Sequence, residues 1–336
     1  MEGTLSQRRR ARGAAGSTDG TAVRTHPDRG CGADEGRAGT SARYVLCWVL
    51  AGFWVVVSVV SWVPAVPTPS TTLDALGLFA LLGFVVVHAS LAVGWRGFAV
   101  YVATSYIVAL AFEATSIAVG FPFGYYVHHT EGPRLFDVPV VVPLGYVVYG
   151  WLAWSLAGLI TRAGSQAGSR AHRVVTPVVA AFILAGWDFG YDAIGSTVRD
   201  LYTYRDPSGF MGVPLSNFLG WLLTGWAVFQ LFALVADRFT PPTAAGAVAA
   251  TARREYRLWP CAIWALIPVQ YLTDFASAPD TTVERGGHTF AVADVYEASA
   301  TAAILTMLVT AVIAGSHAWP QPGADEPAEK ASQQPP

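Results

Sequence analysis

Long apolar stretches separated by short polar segments dominate the chain from residue 44 to residue 315. A helix of about 20 apolar residues crosses the ~30 Å hydrocarbon core of a membrane. Eight stretches of about this length occur, at 44–63, 74–94, 97–119, 140–161, 173–194, 216–237, 257–275 and 292–314. The pattern therefore predicts an all-α fold, a polytopic membrane helix bundle with about eight transmembrane helices.

Polar segments flank the apolar region on both sides. Residues 1–43 are rich in Gly, Ala, Thr and Arg and show no apolar periodicity, and residues 316–336 are polar and rich in Pro. Segments of such composition bury too little apolar surface to fold. We therefore predict a transmembrane helical domain at 44–315 between two disordered tails, with the N-terminal tail in the cytoplasm.

The basic residues predict which side of the membrane each loop occupies, because cytoplasmic loops carry an excess of Lys and Arg. If the N-terminus is cytoplasmic and all eight stretches span, 17 of the 21 basic residues lie on the cytoplasmic side. The opposite side then holds only Arg134, Arg199, Arg205 and Arg285. We expect a multi-pass protein of the cell membrane with both termini in the cytoplasm.

Composition supports a membrane protein and excludes several other classes. The 336 residues are 53% hydrophobic but only 13% charged, whereas about 25% of the residues in soluble proteins are charged. The cysteines, Cys31, Cys47 and Cys261, are too scattered for a disulfide framework or a zinc site. A net charge of −2 without a basic face argues against a nucleic-acid partner. The expected partner at this point is membrane lipid.

Acidic side chains inside the apolar stretches gather near one end of the predicted bundle. Glu113 lies about six residues before the outer end of its helix, and Asp188 and Asp192 lie near the same end of another helix. Carboxylates inside a membrane are costly and mark functional sites. The i, i+4 spacing places Asp188 and Asp192 on one helical face. We take these three residues as the candidate catalytic residues.

The spacing of the two aspartates suggests two kinds of chemistry. Two close carboxylates in a dry site do not both ionise, so one remains a neutral acid that can protonate an electron-rich alkene. The same pair could instead hold a divalent metal ion. The residues alone leave both possibilities open.

Aromatic and polar residues lie near these carboxylates in the predicted outer loops and helix ends. Aromatic faces stabilise a carbocation by cation–π attraction, and Ser and Asn side chains could position a water. The candidate substrate-binding residues are Phe121, Phe123, Tyr126, Trp187, Ser216, Asn217 and Trp221. The secondary candidates near the same end are Arg199, Arg205, Asp274, Asp294 and Glu297.

Two segments resemble signatures of the membrane carotenoid-biosynthesis hydratases, which include bacterioruberin-pathway enzymes and 1,2-hydratases of acyclic carotenoids. The first is FEATSIAVGFPFGYYVHHTEGPRLFDVPVVVPLGY at 112–146. The second is GWDFGYD at 186–192, followed by GVPLSNFLGWLLT at 212–224. The chain departs from the family pattern at Ala193, where proline is common, and in the linker 193–211. It therefore resembles a divergent member.

The resemblance implies that the chain's partner is a lipophilic isoprenoid or carotenoid substrate. It also implies that water is added across a terminal isopropylidene C=C of a long polyene, without a cofactor. In the mechanism that we expect, a carboxylic acid protonates the alkene, aromatic rings shield the tertiary cation, and water captures it. The sequence leaves open which of Asp188, Asp192 and Glu113 is the acid and which the base.

Two other functions are compatible with the same residues. A Mg²⁺-dependent membrane terpene cyclase or prenyltransferase would form a cation by loss of diphosphate. Asp188 and Asp192 would then bind the metal, and Arg199 and Arg205 the diphosphate. A proton-coupled transporter would also use buried carboxylates, although the sequence shows no inverted repeat of the kind that transporters contain.

Overall fold

The structure is a computed structural model, and it describes residues 31–62, 70–161, 171–239 and 253–318. Helices make up most of these ranges. They are α1 (Cys31–Ser61), α2 (Ser70–Val119), α3 (Val142–Ile160), α4 (Thr176–Asp192), α5 (Leu215–Phe239), α6 (Arg254–Ala276), α7 (Val292–Ala303) and α8 (Val309–His317). Turns of π-helix lead into α4 at Ala171–Val175, extend α4 at Ala193–Val198, and join α7 to α8 at Ile304–Leu308.

Short strands lie in the loops at one end of the bundle. They are β1 (Tyr126–His128), β2 (Arg134–Leu135), β3 (Val138–Pro139), β4 (Tyr202–Tyr204), β5 (Thr282–Arg285) and β6 (His288–Ala291). The antiparallel pairs β2–β3 and β5–β6 are local hairpins, whereas β1–β4 joins two loops that are distant in sequence. The β1–β4 sheet is the one that reaches the functional site described below.

Among the described residues, six helical segments are long and apolar enough to cross a membrane. They are Thr40–Ser61, Ala75–Val119, Val142–Ile160, Arg173–Val198, Leu215–Val235 and Val292–His317. The prediction of an all-α, polytopic membrane helix bundle is confirmed, and the protein is a multi-pass membrane protein.

The predicted count of eight spans depends on whether α2 crosses the membrane twice and whether α6 crosses it at all. The 45-residue segment Ala75–Val119 is interrupted at Gly94, whose φ of 70° and ψ of 170° are open to glycine and not to other residues. This break separates the two apolar stretches predicted there. Helix α6 contains Pro260 and Pro268 and is not among the six segments. The count of eight and the orientation of the termini stay predictions.

The first helix begins earlier than the sequence predicts. Helix α1 starts at Cys31, so the structure has residues 31–43 in a helix where the sequence predicts a disordered tail. The boundary of the tail stays a prediction. Extending an existing helix adds one hydrogen bond for each residue fixed, and Ala33, Glu35 and Ala38 favour helix. Residues 1–30 and 319–336 of the predicted tails lie outside the described residues.

A buried histidine connects three helices in the interior of the bundle. The His88 ring of α2 stacks on the Tyr256 ring of α6, with ring centroids 3.9 Å apart. Trp151 Nε1 of α3 donates to His88 Nδ1 at 3.0 Å, and the Tyr256 hydroxyl donates to the His88 carbonyl oxygen at 2.7 Å. Since Nδ1 accepts, Nε2 carries the proton and donates to the Tyr256 carbonyl oxygen at 3.2 Å. These bonds satisfy polar groups that would be costly to bury alone.

We expect Tyr256→Phe to lower the stability of the bundle, because it keeps the stacked ring but removes the hydroxyl that donates to His88. The loss of one buried hydrogen bond costs about 1 kcal/mol, which corresponds to a fall in Tm of a few degrees. Thermal unfolding in detergent measures this change. Tyr125→Phe is the matched control, since Tyr125 is exposed. Equal Tm values for the two variants would contradict the prediction.

Candidate active site

A cavity of about 280 Å³ lies at the end of the bundle that carries the strands. Helices α2, α3, α4 and α5 and the β1–β4 sheet contribute to its wall. The polar lining includes Glu113, Asp192, His128 and Asn217. The aromatic lining comprises Phe123, Tyr126, Tyr149, Trp187, Tyr191, Tyr202, Tyr204 and Trp221. A concave wall of rings around a few convergent polar groups is typical of a ligand site.

Two buried aspartates form the first acidic centre. Asp188 and Asp192 are 0% and 3% exposed and lie one turn apart on α4. The Asn217 side-chain amide donates to Oδ2 of Asp188 at 3.1 Å and also to Oδ2 of Asp192. The Tyr202 hydroxyl donates to Asp192 Oδ1, and the Tyr204 hydroxyl donates to Oδ2 at 3.1 Å. Asp192 lines the cavity, whereas Asp188 connects to it through the shared amide.

Glu113 on α2 forms the second acidic centre and is 4% exposed. The Tyr126 hydroxyl donates to its Oε2, and the Tyr146 hydroxyl lies 3.5 Å from its Oε1. His128 Nε2 is 3.6 Å from Oε2. Within the described part of the chain, neither ring nitrogen of the buried His128 has a hydrogen-bond partner. Because an unsatisfied buried polar group is costly, His128 offers a binding place for a water or a polar ligand group.

The β1–β4 sheet places four of these side chains at the cavity. Tyr126 pairs with Tyr204, and His128 pairs with Tyr202. Successive side chains of a strand point to opposite faces, so Tyr126 and His128 face the cavity while Val127 is 59% exposed. The two strands follow α2 and α4, and their pairing therefore links the glutamate centre to the aspartate centre.

The strand tyrosines remain neutral hydrogen-bond donors over a wide pH range. Burial raises the pKa of Tyr126, Tyr202 and Tyr204 well above the ordinary value of about 10. The nearby charge of Glu113 raises the pKa of Tyr126 further, and that of Asp192 raises the pKa of Tyr202 and Tyr204. These hydroxyls therefore donate to the carboxyl groups instead of competing with them for negative charge.

Stacked rings form the apolar part of the wall. The Trp187 ring lies between the rings of Tyr149 and Tyr191, with centroid distances of 4.0 and 4.9 Å. The Trp221 ring stacks on Tyr146 at 4.2 Å and meets Trp187 edge to face at 5.7 Å. The faces of such rings carry negative potential and attract cations. The wall is therefore suited to a positively charged intermediate.

Close packing against α5 fixes Phe123 in the wall. The Phe123 amide donates to Ser116 Oγ at 2.8 Å, and its carbonyl oxygen accepts from Ser216 Oγ at 3.2 Å. Gly220 is required here, because a Cβ at this position would lie 2.4 Å from Phe123 Cδ1. Phe121 is 54% exposed and lies outside the cavity wall. Ser216 thus positions the backbone of Phe123 and does not itself line the cavity.

The cavity brings together seven of the residues that the sequence predicts for the site. These are Glu113, Asp192, Phe123, Tyr126, Trp187, Asn217 and Trp221. The secondary candidates Arg199, Arg205, Asp274, Asp294 and Glu297 are not part of its wall. The Arg205 guanidinium lies 4.0 Å above the ring of Tyr125, and Asp294 and Glu297 are exposed. The catalytic and binding roles of all these residues stay predictions.

Six further residues of the site were not selected from the sequence: His128, Tyr146, Tyr149, Tyr191, Tyr202 and Tyr204. A period-two alternation in the loops, YVH at 126–128 and YTY at 202–204, was the available signal for the strand residues. The tyrosines of α3 lie within an apolar helix, where the sequence does not show which face meets the cavity.

The groups around Asp192 do not fit a magnesium ion. Mg²⁺ requires a near-octahedral set of oxygen ligands, whereas Asp192 accepts hydrogen bonds from Tyr202, Tyr204 and Asn217. Over the described ranges, no three or more His, Cys, Asp and Glu side chains form a group that could hold a metal ion. These hydrogen-bond donors stabilise negative charge on the carboxyl groups and suit them to proton exchange.

Comparison with known proteins identifies relatives of the chain. The profile of a family described as "Carotenoid biosynthesis protein" matches residues 75–278, which include the cavity. The chain is also 29% identical over 128 residues to the bisanhydrobacterioruberin hydratase of Haloarcula japonica. The aligned region covers 38% of this chain and 41% of the relative, so the two proteins match over less than half of their lengths. No solved structure matches the chain.

We expect the strand tyrosines to ionise late when the pH is raised. Their raised pKa means that the folded protein holds these protons more tightly than the unfolded chain does. Their contribution to stability is therefore complete below about pH 10 and is lost as the pH rises through the folded-state pKa. Tyrosinate absorbance measured in detergent follows the titration.

The matched variant for this titration is Tyr204→Phe, which should remove one late-ionising hydroxyl. The late step should coincide with loss of the folded structure, because ionisation of these groups opposes burial. Titration of all 13 tyrosines in one transition near pH 10, with the protein still folded, would contradict the prediction.

Proposed function

The chain belongs to the carotenoid biosynthesis protein family, and on this basis we propose that it is a membrane hydratase of acyclic carotenoids. The enzyme adds water across a terminal isopropylidene C=C. The main support is one cavity that combines two buried acidic centres with a wall of stacked rings. The name of the relative, bisanhydrobacterioruberin hydratase, agrees with this chemistry.

The aspartate pair supplies the proton in this mechanism. Asp188 and Asp192 are too close and too deeply buried to ionise together, so the pair holds one proton. Asp192 lines the cavity and delivers the proton to the less substituted carbon of the alkene. Asp188 does not line the cavity, and it acts as a positioning residue that shares the charge through Asn217.

The aromatic wall and the ionised aspartate stabilise the cation. The π electrons of the alkene form the new C–H bond, and the positive charge remains on the carbon that bears two methyl groups. The faces of Trp187 and Trp221 line the cavity and attract this charge. Proton transfer leaves both aspartates ionised, and the adjacent cation offsets the second negative charge, which the pair does not hold alone. Electrostatic stabilisation of this kind is usually the largest contribution to catalysis.

Glu113 and His128 provide the side of the cavity at which water reacts. The unpaired ring nitrogens of His128 can hold a water, and Nε2 lies 3.6 Å from Glu113 Oε2. A lone pair of the water forms the C–O bond, and one of its protons passes to this pair. Tyr126 orients the Glu113 carboxylate. Return of the proton to the aspartates completes the cycle, which consumes one alkene and one water.

The diphosphate-dependent alternative has less support. Among the described residues that line the cavity there is no Arg or Lys to bind a diphosphate. Arg199 and Arg205, which the sequence offered for this role, are exposed and lie outside the wall. The hydrogen-bond donors around Asp192 also do not fit the Mg²⁺ that such an enzyme requires.

Expression in a host that accumulates lycopene tests the proposed activity. We expect polar products that are heavier by one water for each modified end, identified by chromatography and mass spectrometry. Asp192→Asn at equal membrane expression is the control and should leave the pigment unchanged. Unchanged lycopene with fully expressed wild-type protein would rule out hydration of this substrate class.

Substitutions in the two acidic centres should block the reaction at different steps. In D₂O, Asp192→Asn should lose both hydration and deuterium incorporation at the isopropylidene end, by about 10²–10⁴-fold. Glu113→Gln and His128→Phe should lose hydration but retain deuterium incorporation. Their cation still forms and then returns to the alkene by losing a proton. Mass spectrometry of recovered substrate separates the two outcomes.

The exposed acid Asp294 at the same end of the bundle provides the matched control for these variants. Asp294→Asn should hydrate the substrate and incorporate deuterium into it as the wild type does. If Glu113→Gln abolished deuterium incorporation as completely as Asp192→Asn, the assignment of the proton donor to the aspartate pair would be wrong.

A further inference from the structure

The cavity wall becomes apolar along one stripe of α3. Val142, Gly145 and Tyr149 line the cavity, and their spacings of three and four residues place them on one face of the helix. Leu78 of α2, which packs against α3, lines the cavity as well. At 1.5 Å per residue the stripe is about 10 Å long. This edge therefore carries no carboxyl group and differs from the rest of the wall.

The side chains at this edge are not fully buried. Val141, just before the stripe, is 38% exposed, and Leu78, Val142 and Tyr149 are partly exposed. Leu78 lies inside the apolar segment Ala75–Val119, and the next apolar segment begins at Val142. An apolar, partly exposed edge within membrane-spanning segments is suited to contact with lipid, because exposure to water would be unfavourable.

Gly145 borders open space at the centre of the stripe. A Cβ built at Gly145 would meet no atom within 4 Å. At Gly150 on the same helix, a Cβ would lie 2.8 Å from the Tyr101 hydroxyl oxygen. Protein interiors are otherwise closely packed, so an open glycine beside a cavity leaves room for another molecule.

We propose that Leu78, Val142, Gly145 and Tyr149 form a lateral mouth through which the polyene enters from the lipid, and that Gly145 sets its width. This inference rests on the proposed function, which makes the substrate a long apolar chain. Sites for drug-sized ligands measure roughly 300–1,000 Å³, whereas this cavity measures about 280 Å³. Only one end of the chain therefore lies among the carboxyl groups, and the remainder stays in the mouth and the lipid.

Polar groups that can hold a water lie at the loop side of the cavity. Thr130 and Leu201 line the cavity beside the β1–β4 sheet, and the Thr130 hydroxyl donates to the Leu201 carbonyl oxygen at 3.4 Å. His128 of the same sheet provides the unpaired ring nitrogens. Polyene and water thus reach the reacting carbon from different edges, which keeps the lipid-facing edge dry.

Gly145→Leu tests the lateral mouth, with Gly158→Leu as the matched control. Gly158 lies on the same helix, its Cβ would also meet no atom within 4 Å, and it does not line the cavity. We expect Gly145→Leu to retain about tenfold less lycopene than the wild type, while Gly158→Leu retains the wild-type amount. Absorbance of pigment bound to the purified protein in lipid nanodiscs measures retention without any need for turnover.

A short alkene distinguishes a variant that only narrows the mouth from one that damages the catalytic cavity. 2-Methylhept-2-ene carries only the isopropylidene end, so Gly145→Leu should lose far less deuterium incorporation with it than with lycopene. If Gly145→Leu bound as much lycopene as the wild type, the proposed mouth would be wrong. The same would follow if Gly145→Leu and Gly158→Leu lost lycopene binding equally. If Gly145→Leu does not fold, Leu78→Trp narrows the mouth from α2 and should cause the same selective loss.

The outcomes also distinguish failure of the mouth from failure of the proposed function. In the first case, the wild type binds lycopene but neither hydrates lycopene or 2-methylhept-2-ene nor incorporates deuterium into them, and Gly145→Leu loses lycopene binding. The proposed hydratase activity is then wrong and the proposed mouth is supported. If the wild type hydrates lycopene and Gly145→Leu does so equally well, the mouth is wrong and hydration is supported.

Discussion

The amide of Asn217, shared by two buried carboxyl groups, is the contact on which the arrangement of the site depends. Asp188 and Asp192 lie in a helix whose other residues are largely apolar, and a buried carboxyl group without donors is strongly destabilising. Helix α5 therefore has to meet α4 with its first turn beside these two residues. This requirement fixes the relative height of both helices and, through Trp187 and Trp221, the position of the stacked rings.

The β1–β4 sheet also supplies hydrogen-bond donors to buried carboxyl groups, in this case from the loops. Its tyrosines donate to Glu113 on one side and to Asp192 on the other, so two acidic centres on separate helices receive their donors from one small element. A hydroxyl with a raised pKa supplies a hydrogen bond without adding a competing charge. The sheet thus stabilises negative charge in the cavity and forms part of its wall toward the loops at the same time.

The sequence predicted the features that a local pattern can encode. An apolar run of sufficient length shows a span, and an acidic residue inside such a run is conspicuous, which is why Glu113, Asp188 and Asp192 could be selected. The tyrosines of α3 could not be selected, because the face that an apolar helix turns toward a cavity depends on its neighbours. The pairing of β1 with β4 joins residues more than 70 positions apart, and only the folded bundle determines that register. Phe121 and Phe123 show the same limit, since packing against Gly220 buries Phe123 while Phe121, two residues earlier, stays exposed.

Under the proposed function, a cavity that accommodates a single terminus has a consequence for substrates with two identical termini. After the first reaction such a molecule cannot turn around inside the bundle, so it must diffuse back into the bilayer and return in the reverse orientation. Double modification is then distributive, and half-modified pigment becomes an obligatory free intermediate, exposed to whichever other enzymes share that bilayer. The ratio of singly to doubly modified pigment would then depend on enzyme abundance and on competition within the membrane, as well as on the chemistry of the site.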